Sequence, residues 1–95
     1  MLSLGKPIKN SIMEVYVYVD YRQDKDTGEE QFKTPEVYAT KEAAERRYNN
    51  SVCEIQEEID EEEPIEEMSD SGDFFIFNSD WRYICIYYKK VTVKE

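Results

Sequence analysis

Residues 14–21 read EVYVYVDY, and the alternation of Val15, Val17 and Val19 with Tyr16, Tyr18 and Asp20 decides the class of fold. A period of two held over eight residues marks a β-strand, and Val and Tyr both suit a pleated backbone. Downstream, Asp24, Asp26, Thr27 and Gly28 supply turn chemistry. They lead into a second, less regular strand predicted from Glu30 to Ala39. Pro35 has no N–H for a ladder, so that strand is expected to be interrupted or to lie at an edge.

The period then changes. Ala44, Tyr48, Val52, Ile55 and Ile59 step by three or four residues, which places them in one stripe of an amphipathic helix. Thr40 is a suitable N-cap, and Glu42 and Glu45 sit where the helix dipole favours negative charge. The helix is predicted from Lys41 to about Glu62, stopped by Pro64, which disfavours helical geometry at Glu63. Pro64 to Asp73 reads as a loop. Phe74–Phe77 and Trp81–Tyr88 read as the arms of a hairpin turning at Asn78, Ser79 and Asp80, with Val91 and Val93 extending the last strand.

The order is therefore ββαββ, an α+β fold with a four-stranded antiparallel sheet and one helix packed on one face. With 95 residues, one domain is expected. It is assigned to residues 14–95, preceded by a flexible arm at residues 1–13. The arm has no apolar run suited to a signal peptide or membrane span, and Met13 would serve as an internal start. The helix is expected to cover Val15, Val17, Val19, Ile84 and Ile86. Tyr16, Tyr18, Trp81, Tyr83 and Tyr87 then share the opposite face.

Charge is distributed unevenly. The chain holds 22 acids and 12 bases for a net charge of −10. Twelve of the acids, and no base, lie between Tyr48 and Trp81: Glu54, Glu57, Glu58, Asp60, Glu61, Glu62, Glu63, Glu66, Glu67, Asp70, Asp73 and Asp80. A localised field of this kind steers a basic partner. On a continuous helix the seven acids from Glu54 to Glu63 would give about one charge per 2 Å, against about one per 1.7 Å along duplex DNA. Acids near a helix C-terminus also oppose its dipole, so they are more readily explained by something outside the fold, with a solvated acidic face as the plainer alternative. The exposed aromatic face is a second candidate surface. The alternative is that this face is covered by the N-terminal arm, the acidic loop or a second copy of the chain.

Other chemistries are poorly supported. Histidine is absent, and with it the commonest general base and metal ligand. Cys53 and Cys85 have no metal-type spacing and are too few for a disulfide scaffold; both are expected to be inert, partly buried thiols in a reducing cytoplasm. Asp24, Asp26 and Gly28 fail the calcium-loop template, because Gly28 falls one position early and Pro35 stands where the bidentate Glu belongs. Paired acids such as Glu57 and Glu58 come without a nucleophile elbow or Gly-rich loop. No enzyme, metal or cofactor is predicted. The negative charge also argues against direct nucleic-acid binding.

The segment TPEVYATKEAAERRY (Thr34–Tyr48) opening a helix, together with the acidic run and the terminal aromatic hairpin, resembles in style the small acidic inhibitors encoded by phages and mobile elements, of the anti-CRISPR or DNA-mimic type. The resemblance spans about residues 14–94 and rests on no diagnostic motif. It implies a cytoplasmic protein that blocks a basic nucleic-acid-binding protein of the host, such as a CRISPR nuclease or another defence factor. Glu54, Glu57, Glu58, Asp60, Glu61, Glu62, Glu63, Glu66 and Glu67 would be the contacting acids, with Tyr16, Tyr18, Trp81, Tyr83 and Tyr87 as aromatic contacts. The competing expectation is a small structural or assembly protein, a homodimer through its aromatic sheet face.

Overall fold

The computed structural model describes residues 12–94. Its elements are β1 (Ile12–Asp24), β2 (Glu30–Phe32), β3 (Glu36–Tyr38), α1 (Lys41–Glu58), β4 (Ile65–Asp70), β5 (Phe74–Ser79) and β6 (Arg82–Lys94). They form an α+β fold with one helix against a sheet ordered β2-β1-β6-β5-β4, with β3 also paired to β1. Every described pairing is antiparallel. The first and last strands make the spine, paired from Ile12 opposite Lys94 to Asp24 opposite Arg82. Residues 1–11 of the expected arm lie outside the described residues, while Ile12 and Met13 already belong to β1.

The sheet has six strands where four were expected. The predicted strand over Glu30–Ala39 is split at Thr34 and Pro35 into β2 and β3, as a residue unable to donate to a ladder requires. The remaining strand, β4, was expected to be a loop. Its sequence IEEMSD is exposed throughout, so no burial pattern announces it. Pairing with β5 alone makes it a strand, as an acidic edge with a register shift between Ile65 and Glu67. Charge and irregularity of this kind blunt an edge against further pairing.

Helix α1 begins as expected, with the Thr40 hydroxyl accepting from the Ala43 N–H at 3.2 Å. It ends at Glu58, four residues before the predicted limit. No basic residue stands in its last turn, so Glu57 and Glu58 already oppose the dipole. Asp60 then offers the backbone an alternative: its carboxylate accepts from the Glu62 N–H at 2.8 Å and its carbonyl from the Glu63 N–H at 3.0 Å. The stripe Ala44, Tyr48, Val52 and Ile55 is buried, with Ile59 packed at its margin.

The helix lies on the tyrosine face of β1, the reverse of the expectation. Residues opposed across a ladder share a face. Tyr16, Tyr18, Asp20 and Arg22 stand opposite Lys90, Tyr88, Ile86 and Ile84. Ile84 and Ile86 are thus on the helix side as predicted, joined by Phe75 and Phe77. Both faces of β1 are apolar enough to bury, so alternation alone could not choose between them. Polar satisfaction favours the tyrosine side. The Tyr18 hydroxyl donates to Ser51 Oγ of α1 at 2.5 Å, and Arg47 lies 4.7 Å over the Tyr18 ring. The edge-on Tyr48–Tyr88 pair, with centroids 5.6 Å apart, closes the same layer.

The valines therefore line the other face, which no described element covers. Its cross-strand rows are Met13 with Val93, Val15 with Val91, and Val37, Val17 and Lys89. Further along come Val19, Tyr87 and Phe74, then Phe32, Tyr21, Cys85 and Ile76. A polar row of Glu30, Gln23, Tyr83, Asn78 and Glu67 ends the series. Phe32 and Val37 are 67% and 64% exposed, so apolar surface remains in water.

Candidate functional site

Three connections meet at one end of the sheet, beyond the C-terminus of α1. In the β1–β2 turn, Asp24 Oδ1 accepts from the N–H groups of Asp26 and Thr27 at 2.9 and 3.3 Å, and Gly28 adopts φ +78°. That positive φ suits glycine. The Lys25 N–H reaches the Trp81 carbonyl at 2.9 Å, and its ammonium reaches Asn78 Oδ1 at 2.5 Å, tying this turn to the β5–β6 turn. The α1–β4 connection is tied in turn by the Asp80 N–H to the Pro64 carbonyl at 3.2 Å.

Glu63 fixes this junction from inside. Its carboxylate is buried and accepts from Ser79 Oγ at 2.8 Å and from Arg82 Nε and a terminal guanidinium nitrogen at 2.9 and 3.1 Å. Burial would raise the Glu63 pKa, but the hydrogen bonds from Arg82 and Ser79 outweigh it and hold the carboxyl below its ordinary value. Ser79 Oγ also accepts from the Trp81 and Arg82 N–H groups at 3.1 and 3.2 Å. The buried carboxylate thus shapes the turn that presents Trp81.

Trp81 is 42% exposed. It shares an open hollow with Asp24, Asp26, Glu58, Asp60, Glu63 and Arg82. Arg82 is occupied by Glu63 and, at 3.7 Å, by Glu58. The result is an exposed indole beside carboxylates from the β1–β2 turn, the end of α1 and the α1–β4 connection.

The acids and aromatics singled out in the sequence divide accordingly. Glu54, Glu57, Glu58, Asp60, Glu61 and Glu62 are exposed around the helix end, and Glu66 and Glu67 continue the acidic surface along β4. Their spacing as one helical row does not hold, because Asp60 to Glu63 lie beyond α1. Glu63 faces inward and is no contact residue. Asp70 also has an internal partner, the Tyr48 hydroxyl at 2.5 Å. Tyr18 is buried and Tyr16 packs against the core, so neither shares a surface with Trp81. Tyr83 and Tyr87 do lie on the uncovered face. Trp81 itself is in the turn before β6. Of the two thiols, Cys53 is exposed and Cys85 half-buried.

The contribution of Asp24 and Asp26 was missed. Their turn is separated by more than thirty residues from the acids beside which it folds; only the long β1–β6 register brings them together, and no local signal carries that. Among the described residues, no group of three or more Cys, Asp or Glu side chains is arranged to hold a metal ion, and no helix is long and apolar enough to cross a membrane. Comparison of the chain with protein-family models, curated proteins and solved structures finds no match, so a functional reading must rest on the tip itself.

Proposed function

We propose that this chain is a non-enzymatic inhibitor that binds a basic nucleic-acid-handling protein through the acidic tip, in the manner of phage-encoded anti-defence factors. The observation supporting this reading is Trp81, exposed beside carboxylates from the β1–β2 turn, the end of α1 and the α1–β4 connection. An indole offers a face on which a partner's Arg can stack, and the surrounding carboxylates offer charge-assisted hydrogen bonds to the same guanidinium groups. Aromatic anchors within a polar rim are where binding energy concentrates. The acids along α1 and β4 would supply long-range attraction and raise the association rate.

The test is displacement of fluorescent DNA from a panel of CRISPR effectors and other nucleic-acid-guided nucleases, at low and high salt. The wild-type chain should displace DNA from its target and bind no DNA itself, with potency falling as salt rises. The variant Glu57→Gln/Glu61→Gln/Glu62→Gln keeps the Glu58–Arg82 and Glu63–Arg82 pairs and should lose about tenfold or more in potency; Trp81→Ala should lose a similar amount. Failure to displace DNA from any member of the panel, or potency unaffected by both variants, would refute the proposal.

A further inference from the structure

We infer that a hollow at the N-terminal end of α1, remote from the acidic tip, binds a small phosphate monoester that also carries hydroxyl groups, of the sugar-phosphate class. The hollow measures about 450 Å³ and is lined by Lys41 and Glu45 of α1, Asp73 of the β4–β5 turn, and Tyr88, Lys89 and Lys90 of β6. That volume is in the range of small-molecule sites. Tyr88 is 7% exposed, and its hydroxyl has no hydrogen-bond partner among the described residues. Buried hydroxyls are ordinarily paired, because an unpaired one costs free energy. This hydroxyl is directed into the hollow, since the two carboxylates that act on it, Glu45 and Asp73, both line that space. Burial and those two acids raise its pKa, so near neutral pH it stays protonated and offers a donor.

Other donors converge on the same space. The Tyr88 N–H bonds the Asp73 carbonyl at 3.0 Å, and N–H groups alternate in direction along a strand, so the Lys90 N–H faces the same edge. β5 pairs with β6 only as far as Phe74 opposite Tyr87, which leaves the Lys90 N–H without a ladder partner among the described residues. Lys41 and Lys89 have no ion-pair partner among those residues, and Lys90 meets Glu14 at 3.7 Å. Three lysines against two carboxylates, beside the positive end of an 18-residue helix, make a local excess of positive charge on a chain of net −10. An anion is therefore attracted here. Asp73 already accepts from Ser71 Oγ at 3.3 Å, so Glu45 is the carboxylate left to accept from hydroxyls of the ligand. A phosphate monoester carries close to two charges at neutral pH and accepts several charge-assisted hydrogen bonds. The acids of the tip lie about 27 Å away along α1, roughly three Debye lengths at physiological salt. They leave a small ligand undisturbed but repel a length of DNA.

The experiment is an amide NMR titration of the full chain with ribose 5-phosphate, inorganic phosphate, ribose, and a DNA oligonucleotide without a terminal phosphate. Ribose 5-phosphate should give saturable shifts at Lys41, Asp73 and Lys90 and bind about tenfold tighter than inorganic phosphate. Ribose and the oligonucleotide should shift none of these amides. Tyr88→Phe should keep or raise the urea midpoint, since no internal hydrogen bond is lost, yet weaken ribose 5-phosphate by about tenfold. Lys41→Gln should weaken it by about fivefold and flatten the dependence on salt. Glu45→Gln should narrow the gap between the ester and inorganic phosphate, and the Glu57→Gln/Glu61→Gln/Glu62→Gln tip variant should bind as wild type does. The inference is overturned by any of four results: no saturable shift at about 10 mM ester, equal affinity for the ester and inorganic phosphate, oligonucleotide binding at these amides, or affinity unchanged in both Tyr88→Phe and Lys41→Gln.

Discussion

Glu63→Ala removes the carboxylate on which the junction of three connections depends. The buried side chain accepts one hydrogen bond from Ser79 and a bidentate pair from Arg82. Breaking a fully buried ion pair by deleting one partner costs about 3 to 5 kcal/mol. Arg82, however, keeps 27% of its side-chain surface in water, has Glu58 at 3.7 Å and lies 5.3 Å over the Phe77 ring. Partial solvation of the orphaned guanidinium reduces the expected loss to about 2 to 3 kcal/mol. With a urea m-value of about 2 kcal/mol/M, the midpoint should fall by about 1 to 1.5 M. Melts followed by circular dichroism at one fixed protein concentration measure this without interference from association. Glu61→Ala and Glu62→Ala, neighbours in the same connection with exposed side chains, should stay within about 0.5 kcal/mol of wild type. The pH dependence supplies a second check. The folded Glu63 pKa lies below its ordinary value of 4.5, so its stabilisation is present above that pH and lost as pH falls through the folded pKa. The gap between wild type and Glu63→Ala should therefore narrow below about pH 4.5. A Glu63→Ala midpoint equal to that of Glu61→Ala, or a gap unchanged on acidification, would refute the reasoning.

Ile55→Ala, at a fully buried position of the helix stripe, should lower stability by about 2 to 5 kcal/mol in the same melts. Tyr48→Phe strips the Asp70 carboxylate of a partner, though Asp70 still accepts from the Gly72 N–H at 2.9 Å; a loss of about 1 kcal/mol is expected by denaturation. Spectrophotometric titration should find the Tyr48 phenol ionising well above the ordinary tyrosine range, since burial and the adjacent Asp70 both oppose its anion. Thr40→Ala deletes the cap over the Ala43 N–H and should cost about 1 kcal/mol in urea melts.

The elements with a strong single period were legible from sequence. The alternation of Val and Tyr announces β1, the stripe Ala44, Tyr48, Val52 and Ile55 announces α1 with its inward face, and the run from Trp81 announces the last strand of the hairpin. The acids of the helix end were legible as a charge run. In each case neighbouring residues carry the signal, because backbone geometry repeats over a few residues and a local pattern suffices to record it. Which face of β1 is buried was decided only in three dimensions, since valines and tyrosines can each fill a core and the hydroxyl partner of Tyr18 lies 33 residues away. Strand β4 exists because β5 offers it a ladder, and its six exposed residues hold no trace of that pairing. Glu63 is indistinguishable in sequence from Glu61 and Glu62. It turns inward because Ser79 and Arg82, 16 and 19 residues further on, are folded against it, and that long-range electrostatic choice is also what sets Trp81 among the carboxylates of the tip.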